Sequence, residues 1–508
     1  MAEISVLQIG ATDWTPQIKT AKIDWQYTTI LDLPTRLALQ RDPYVLEQTY
    51  VVLTDETLES TLLSSQISEW PARRVLYFAQ QITPEFQAIL DERQAFRIPE
   101  KTPQAVAERI LSDFQFEQIG FSTRFSETQF IPMPPQNTHF ERQGRFSARF
   151  SGDFGDAWQQ IGALKTFAAD FAATAENVVW LDYEQSGTAE VQVQFVFFRD
   201  GQIQQRQTIA GTQLRQLTTV GGLSDYDHYQ IIVSARGHGV LDLHVLHQRR
   251  SRHGVGVLMP GDDWQLTAEN EEILSYFDPG DRQAPLIVNF SGIRLHVDGF
   301  EMRGPLRELG TPYLLFTDTR MQGGAFDIGT ELYEKTVIET IKRAMATLNF
   351  KPEDVILTGY SMGSYPAMYY AADIKPRAVV IAKPIINLGT LTANPDFPHG
   401  YNQDWTLDVR RFLAGRMAPE DTEPLNQILW EHIQNVDWSK IAVELLTMTD
   451  DEYDGQSLPE LLAFLQSRDT PLTHQQEIGT HTAKIPEMVQ FMTAALAKWR
   501  DSMRQEAQ

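Results

Sequence analysis

Residues 355–363 are Val-Ile-Leu-Thr-Gly-Tyr-Ser-Met-Gly, and this stretch decides the fold class of the second half of the chain. An apolar strand leads into a Gly-x-Ser-x-Gly turn, and a helical pattern follows over residues 365–372. Strand, sharp turn and helix form the context of a nucleophile elbow, in which small flanking residues make room for the turn. The alternative is a strand-to-helix turn with an incidental serine. We predict an α/β-hydrolase-type domain with Ser361 as its nucleophile.

A serine hydroxyl needs a base to become an effective nucleophile. In this fold the chain order is serine, acid, histidine. The histidines after Ser361 are His399, His432, His474 and His481. His481 lies in a Gly-Thr-His-Thr loop before the final helix, where the fold places its base. His432 falls within a helical pattern and His474 follows a turn, so we predict His481 as the base.

The acid is expected after the strand that precedes the histidine loop. Residues 449–454 there are Thr-Asp-Asp-Glu-Tyr-Asp. The geometry of a strand end permits either Asp451 or Glu452, and the sequence does not choose between them. Asp454 is a candidate cap for the next helix instead.

An oxyanion hole requires two preorganised backbone N–H donors. We expect one from Met362, directly after the predicted nucleophile, and the other from the loop at Gly292, because glycine permits close backbone approach. Residues 318–324 follow the next strand and are expected to wall the pocket. Arg320 in that loop either contacts substrate or pairs with Asp318, and we favour the pairing.

The rest of the chain divides into two further patterns. Over residues 1–130, apolar strands alternate with helices, which predicts a Rossmann-like α/β domain with a parallel sheet. This region contains no glycine-rich nucleotide motif. Residues 131–255 alternate with period two, which predicts an antiparallel β-sandwich. Residues 256–508 form the predicted hydrolase-type domain.

Modules like the predicted middle sandwich often bind sugars or proteins through aromatic side chains. Trp158, Trp180 and Tyr226 are available for this role. We interpret them first as core residues and keep carbohydrate binding as the alternative.

The composition limits the classes of molecule that the protein is expected to bind. The net charge is -24 with a pI of about 4.9, which disfavours nucleic acid and anionic lipid. The basic run at residues 248–253 is interpreted as a solvated turn or linker. The absence of cysteine excludes disulfides and thiolate chemistry, and no spacing typical of metal ligands is present. With neither a signal-peptide pattern nor a long apolar span, the expected location is the cytoplasm.

Five stretches, taken together, resemble the family of the accessory Sec system secretory protein Asp, second member. They are residues 289–292, 298–301, 320–326, 359–363 and 383–389. The resemblance implies cytoplasmic work on serine-rich repeat glycoprotein adhesins before their export by Gram-positive bacteria. It also implies a hetero-complex with two sister accessory proteins and peripheral contact with the accessory SecA motor and the membrane translocon.

Members of this family are described as O-acetylating N-acetylglucosamine on the adhesin through a Ser/acid/His triad. Ser361 and His481 match the nucleophile and base of the family. The acid maps best to Asp451, and Glu452 stays the alternative because the family can carry a glutamate there. The resemblance also favours sugar recognition by the middle domain. It implies an acetyl donor of unknown identity and no tightly bound cofactor.

Three hypotheses follow from these observations. The leading one is acetyl transfer to glycan hydroxyls. A serine esterase is the second, because hydrolysis and transfer use the same acyl-enzyme. The third is a non-catalytic export chaperone with a vestigial hydrolase site, since two of the three predicted domains carry no catalytic signal.

Overall fold

The computed structural model describes residues 4–39, 49–165, 176–222, 226–294, 297–321, 323–393, 405–416 and 418–506. The chain divides into two compact units. One comprises the chain up to Glu117 together with residues 252–262 and 278–280, and the other comprises the remainder.

The first unit is built on a parallel sheet, as its apolar strands predict. The sheet has the order β2-β1-β3-β5-β7, and the described pairs run parallel. Val6 and Leu7 point to separate apolar clusters on opposite faces of the sheet. The elements are β1 (Ile4–Ile9), β2 (Ile23–Thr28), α1 (Leu33–Leu39), β3 (Thr49–Leu53), β4 (Thr57–Leu58), α2 (Thr61–Ile67), β5 (Val75–Tyr77), β6 (Gln81–Ile82), α3 (Pro84–Glu92), β7 (Phe96–Arg97) and α4 (Pro103–Asp113).

The second unit begins with an antiparallel sheet. Its strands are β8 (Gly120–Arg124), β9 (Phe130–Pro132), β10 (Thr138–Gln143), β11 (Ser147–Leu164), β12 (Glu176–Gly187), β13 (Glu190–Arg199), β14 (Gln202–Ala210), β15 (Thr218–Gly221) and β16 (His228–Arg250). The long strand β16 pairs with β13 through residues 228–236 and with β12 through residues 239–250. Because this strand serves both halves, the hydrogen bonds of the described strands connect them into one nine-stranded antiparallel sheet.

The aromatic side chains of this sheet mainly fill its core. Trp180 and Tyr226 are buried. Trp158 is partly exposed and lies under the guanidinium of Arg236, 4.6 Å from its carbon to the ring centroid. The predicted domain boundaries at residues 130 and 255 stay predictions, while strand pairing places β8 and β9 in this sheet.

The hydrolase-type region carries an eight-stranded sheet among the described residues, in the order β17-β18-β20-β19-β21-β22-β23-β24. The elements are β17 (Asp263–Leu266), β18 (Glu272–Asp278), β19 (Leu286–Phe290), α5 (Arg303–Leu309), β20 (Tyr313–Thr317), α6 (Glu331–Leu348), β21 (Val355–Tyr360), α7 (Ser364–Tyr369), α8 (Ala371–Ile374), β22 (Ala378–Ala382), α9 (Leu388–Ala393), α10 (Trp405–Ala414), α11 (Thr422–Ile433), β23 (Ala442–Asp450), α12 (Leu458–Ser467), β24 (Leu472–Thr480) and α13 (Ile485–Glu506).

Strands β19 to β24 pair in parallel, and β17 is antiparallel to β18. The carboxyl ends of β21, β23 and β24 therefore lie at one edge of the sheet. Helix α6 packs Val337 and Ile341, which lie four residues apart on one face, into the core. Nowhere in the described ranges is a helix both long enough and apolar enough to cross a membrane.

The basic run at residues 248–253 is not the solvated turn that its composition predicts. Arg249 lies within β16, is 1% exposed, and binds the carboxylates of Glu272 and Asp298. Burial opposes its charge, but these two carboxylates raise the pKa of Arg249. Arg252 is also buried and donates to backbone carbonyl oxygens. The prediction was wrong because the partners of both arginines come from distant parts of the chain.

Candidate active site

The turn after β21 is a strained elbow. Ser361 has φ +53°, a left-handed conformation that costs a non-glycine residue about 1–3 kcal/mol. A Cβ added to Gly359 would lie 2.1 Å from the carbonyl oxygen of Gly363, and one added to Gly363 would lie 2.1 Å from that of Phe290. Gly359 therefore allows the turn to close tightly on itself, and Gly363 allows it to pass close to the end of β19.

The structure brings three of the predicted site residues together at the edge of the sheet. The Oγ of Ser361 lies 2.7 Å from Nε2 of His481. The Nδ1 of His481 lies 3.0 Å from each carboxylate oxygen of Asp451. Ser361 is 8% exposed and His481 is 5% exposed, so little water reaches this hydrogen-bond chain.

The two candidate acids contact different parts of His481. Asp451 faces the imidazole ring, whereas Oε2 of Glu452 accepts the backbone N–H of His481 at 2.7 Å. The geometry thus favours Asp451 as the partner of the ring. Glu452 instead fixes the backbone of the histidine loop.

Two residues that the sequence did not single out for the site support the histidine loop. The Nζ of Lys383 donates to the carbonyl oxygens of His481 and Ala483, at 2.7 and 2.5 Å. Burial lowers the pKa of Lys383, and the charges of Asp451 and Glu452 oppose that shift. The ring of Tyr453 stacks on the imidazole with centroids 4.1 Å apart. The available signal for Lys383 was a lysine directly after the buried strand β22.

The last carboxylate of the acidic run has another role. Asp454 accepts the backbone N–H groups of Ile386 and Asn387 at 2.5 and 2.9 Å and the hydroxyl of Ser457. Burial raises its pKa to about 6. Asp454 therefore anchors the loop after β22 rather than contacting His481.

The predicted oxyanion hole has one donor occupied by a carboxylate. The N–H of Gly292 donates to Oε2 of Glu301 at 2.8 Å. A Cβ on Gly292 would lie 3.0 Å from the Tyr360 ring, so close approach is needed here. Burial, with the charge and hydrogen bonding of Glu301, raises the pKa of Tyr360. Met362 is fully buried behind the elbow. The oxyanion roles of Met362 and Gly292 stay predictions, and sequence reasoning did not find Glu301.

Arg320 forms the predicted pair with Asp318. Its guanidinium binds that carboxylate at 2.7 Å, and also binds Glu271 at 2.7 Å. It lies 3.7 Å from the centroid of the Tyr333 ring. These contacts engage Arg320 on several sides, so its guanidinium holds the loop after β20 in place.

Two of the other candidate histidines have partners of their own, neither of which belongs to the elbow. His432 contacts Asp373 at 2.9 Å and stacks on Tyr369. His474 lies on β24 and contacts the hydroxyl of Thr447 at 2.8 Å. His399 falls outside the described residues. Within the described ranges, no three His, Asp or Glu side chains are grouped so that they could hold a metal ion.

The strand order, counted from β17, is 1-2-4-3-5-6-7-8, with the serine after the fifth strand, the carboxylate after the seventh and the histidine after the eighth. This is the architecture of an α/β-hydrolase-type domain. The family model of the second Asp protein, described as the accessory Sec system GspB-transporter, matches residues 4–499. The chain therefore belongs to this family of accessory Sec system proteins.

Individual relatives agree with this assignment. The chain is 27% identical to the second Asp protein of the accessory Sec system of Streptococcus gordonii over 492 residues, covering 94% of each. It is 28% identical over 393 residues to the protein of the same name from Staphylococcus aureus, covering 74% of this chain and 73% of the relative. A chain in the Glycosylation Associate Protein (Gap123) complex from Streptococcus agalactiae superposes with a TM-score of 0.82, at 25% identity and 97% coverage of both chains.

Proposed function

We propose that this accessory Sec protein O-acetylates N-acetylglucosamine residues of serine-rich repeat glycoprotein adhesins before their export. The observation that carries the proposal is the hydrogen-bond chain from Ser361 Oγ through His481 to Asp451, with distances of 2.7 and 3.0 Å. Such a chain suits a serine that must be activated by a general base. Family membership supplies the secretion context.

In the proposed reaction, Ser361 Oγ attacks the acetyl carbonyl carbon of the donor and transfers its proton to His481 Nε2. The bond between the acetyl group and the donor breaks, and the proton passes to the leaving group. A sugar hydroxyl then gives its proton to His481 and attacks the acetyl-serine. The ester bond to the sugar forms, and Ser361 regains its proton.

The surrounding residues have distinct parts in this scheme. Asp451 accepts from Nδ1, which selects the histidine tautomer and stabilises the imidazolium. Glu452 and Lys383 hold the loop on either side of the imidazole through the backbone. The N–H of Met362, joined by that of Gly292 once Glu301 has moved, would stabilise the oxyanion. The identity of the acetyl donor is left open in this proposal.

The proposal extends to partners and location. We place the protein in the cytoplasm, at the membrane only through the accessory SecA motor and the translocon, and in a hetero-complex with sister accessory proteins. The similar chain from the Gap123 complex of Streptococcus agalactiae supports the last point.

The test is mass spectrometry of adhesin glycans from cells that carry wild-type protein, Ser361→Ala or Ser467→Ala. Ser467 is an exposed serine on α12 and serves as the matched control. We expect acetylated hexosamine with the wild type and the control and none with Ser361→Ala. Identical glycans in all three strains would refute catalysis by Ser361 and leave a non-catalytic export subunit.

Two further measurements separate the remaining functions. The purified protein is incubated with a small acetyl ester, with and without a glycosylated adhesin fragment. Release of acetate without acetylated glycan would identify an esterase instead. Adhesin export is measured in the same strains, and we expect it to survive Ser361→Ala. If export fails although the Ser361→Ala protein is correctly folded, acetylation and export are not separable roles of the protein.

A further inference from the structure

A cavity lies within the second compact unit, between the nine-stranded sheet and the hydrolase-type region. Its volume is about 460 Å³, and Ser361, Asp451 and His481 are not among its lining residues. Small-molecule sites typically have volumes of about 300–1,000 Å³. The cavity is thus large enough for a small ligand that does not occupy the candidate active site.

Several of the charges around this cavity neutralise one another. Arg149 binds Asp242 through two hydrogen bonds of 2.7 and 2.8 Å. Arg320 is likewise engaged by Glu271 and by Asp318. The hydrogen-bonding groups of these residues are largely occupied within the protein, so they have little capacity left to bind a ligand.

Two other lining groups retain unused hydrogen-bonding capacity. The carboxyl group of Asp182 has no hydrogen-bond or ion-pair partner in the described part of the chain, and burial raises its pKa. Arg411 donates through Nη2 to the hydroxyl of Ser147 at 3.0 Å, but its buried Nε has no partner there. Buried polar groups in proteins are nearly always satisfied. The buried Nε of Arg411 and the half-buried carboxyl group of Asp182, which share one cavity lining, therefore point to a polar ligand.

The remaining lining includes aromatic rings and several further polar groups, among them His244. His244 contacts Ser147 through Nδ1 at 2.7 Å, and its ring lies 5.6 Å from that of Phe146. Phe412 lines the same space. Flat apolar surfaces beside hydrogen-bonding groups match the two kinds of surface that a sugar ring presents.

The charge balance argues against an anionic ligand. The lining includes five carboxylates, namely Asp182, Glu184, Asp242, Glu269 and Glu271, against the three guanidinium groups of Arg149, Arg320 and Arg411. A phosphorylated compound would meet net repulsion, because like charges at short range disfavour binding. Hydroxyl groups carry no charge and can both donate and accept.

We propose that this cavity, framed by Asp182, His244 and Arg411, binds a neutral, hydroxyl-rich sugar residue of the glycan substrate. The inference rests on the proposed function for the identity of the glycan, but the binding site is physically separate from Ser361. The cavity would hold one sugar of the adhesin glycan while another sugar is presented to the acetyl-serine. Its effect would be on acceptor affinity and not on the formation of the acyl-enzyme.

The test uses the full chain and saturation-transfer NMR with N-acetylglucosamine as the probe. The proteins are the wild type, Ser361→Ala, Asp182→Asn, Arg411→Met and the control Asp156→Asn, whose exposed carboxylate lies on β11 outside the cavity. We expect equal sugar signals from the wild type, Ser361→Ala and the control. The signals of Asp182→Asn and Arg411→Met should fall at least tenfold. Coenzyme A, used as a phosphorylated and therefore anionic competitor, should not displace the sugar.

Kinetics provide a second measurement if one cavity variant folds poorly. Asp182→Asn should raise the KM for a glycosylated adhesin fragment at least tenfold and leave hydrolysis of a small acetyl ester unchanged. Wild-type binding and KM in both cavity variants would overturn the proposal, as would competition by coenzyme A. The two proposals can also fail separately. If the wild type binds the sugar, Asp182→Asn does not, and the wild type acetylates no glycan, the proposed function is refuted while the sugar site is supported.

Discussion

Replacing Glu301 should release the second predicted oxyanion donor. Its carboxylate accepts the N–H of Gly292 at 2.8 Å, so a developing oxyanion must displace it before it can use that donor. A hydrogen bond to a charged group contributes about 1.5–3 kcal/mol net. At about 1.4 kcal/mol per tenfold, the displacement slows acylation by roughly 10- to 100-fold. We expect Glu301→Ala to raise kcat/KM for p-nitrophenyl acetate by about that factor, with Glu301→Gln intermediate.

The assay is the burst of p-nitrophenol in stopped flow, which reports acylation separately from turnover. Glu308→Ala is the matched control, because Glu308 is an exposed glutamate of the helix that follows and should leave the burst unchanged. Thermal unfolding confirms that each variant is folded. A fall of about 100-fold in the burst rate of a folded Glu301→Ala, the size expected for loss of an oxyanion contact, would refute this reasoning. Glu301 would then belong to the catalytic machinery.

Three further predictions concern the elbow and the histidine loop. Gly363→Ala places a Cβ 2.1 Å from the carbonyl oxygen of Phe290, so the melting temperature should fall by several degrees, and an unchanged melting curve would contradict the close packing. Asp451→Asn should lower the acylation rate by about 10³–10⁴-fold, whereas Glu452→Gln should cost less than about tenfold; the reverse ranking in stopped flow would assign the acid to Glu452. The folded-state pKa of Asp454 is about 6, above its ordinary value of 3.8, so the folded protein binds this proton more tightly than the unfolded chain does. The contribution of this group to the free energy of unfolding is fully present below about pH 4. It is lost as the pH rises through about 6, and the total loss is roughly 3 kcal/mol. Urea titrations at pH 4 and pH 7 should show this difference in the wild type but not in Asp454→Asn, and equal pH dependence would contradict it.

The order of the catalytic elements could be predicted from the sequence because local patterns determine it. The apolar strand before Ser361 and the glycines around it identify the elbow, and the parallel sheet then places later strand ends at the same edge. The fold class is confirmed by the strand order. The choice between Asp451 and Glu452 was beyond the sequence, since neighbouring residues at a strand end point to different sides. Only the path of the loop around His481 decides which carboxylate meets the ring.

Side-chain contacts were predicted less well where a residue binds a partner that is not its neighbour in the sequence. Arg249 looked solvated because its neighbours are polar, yet its carboxylate partners come from β18 and from the loop at Asp298. Glu301, which accepts the N–H of Gly292, lies nine positions further along the chain. Such pairings depend on how loops cross after folding, which periodicity and composition do not record.

The ion pairs of Arg249 bear on attempts to dissect the protein. A fragment that began at residue 256 would keep the whole elbow and the histidine loop but lose the guanidinium that lies between Glu272 and Asp298. Leaving a buried charge without its partner costs about 3–5 kcal/mol. Asp298 also lies only three residues before Glu301, which contacts Gly292. Loss of the ion pair should therefore disturb the loop beside the elbow. We therefore expect that the hydrolase-type region cannot be excised alone, and that a stable minimal fragment would have to retain the last strand of the preceding sheet.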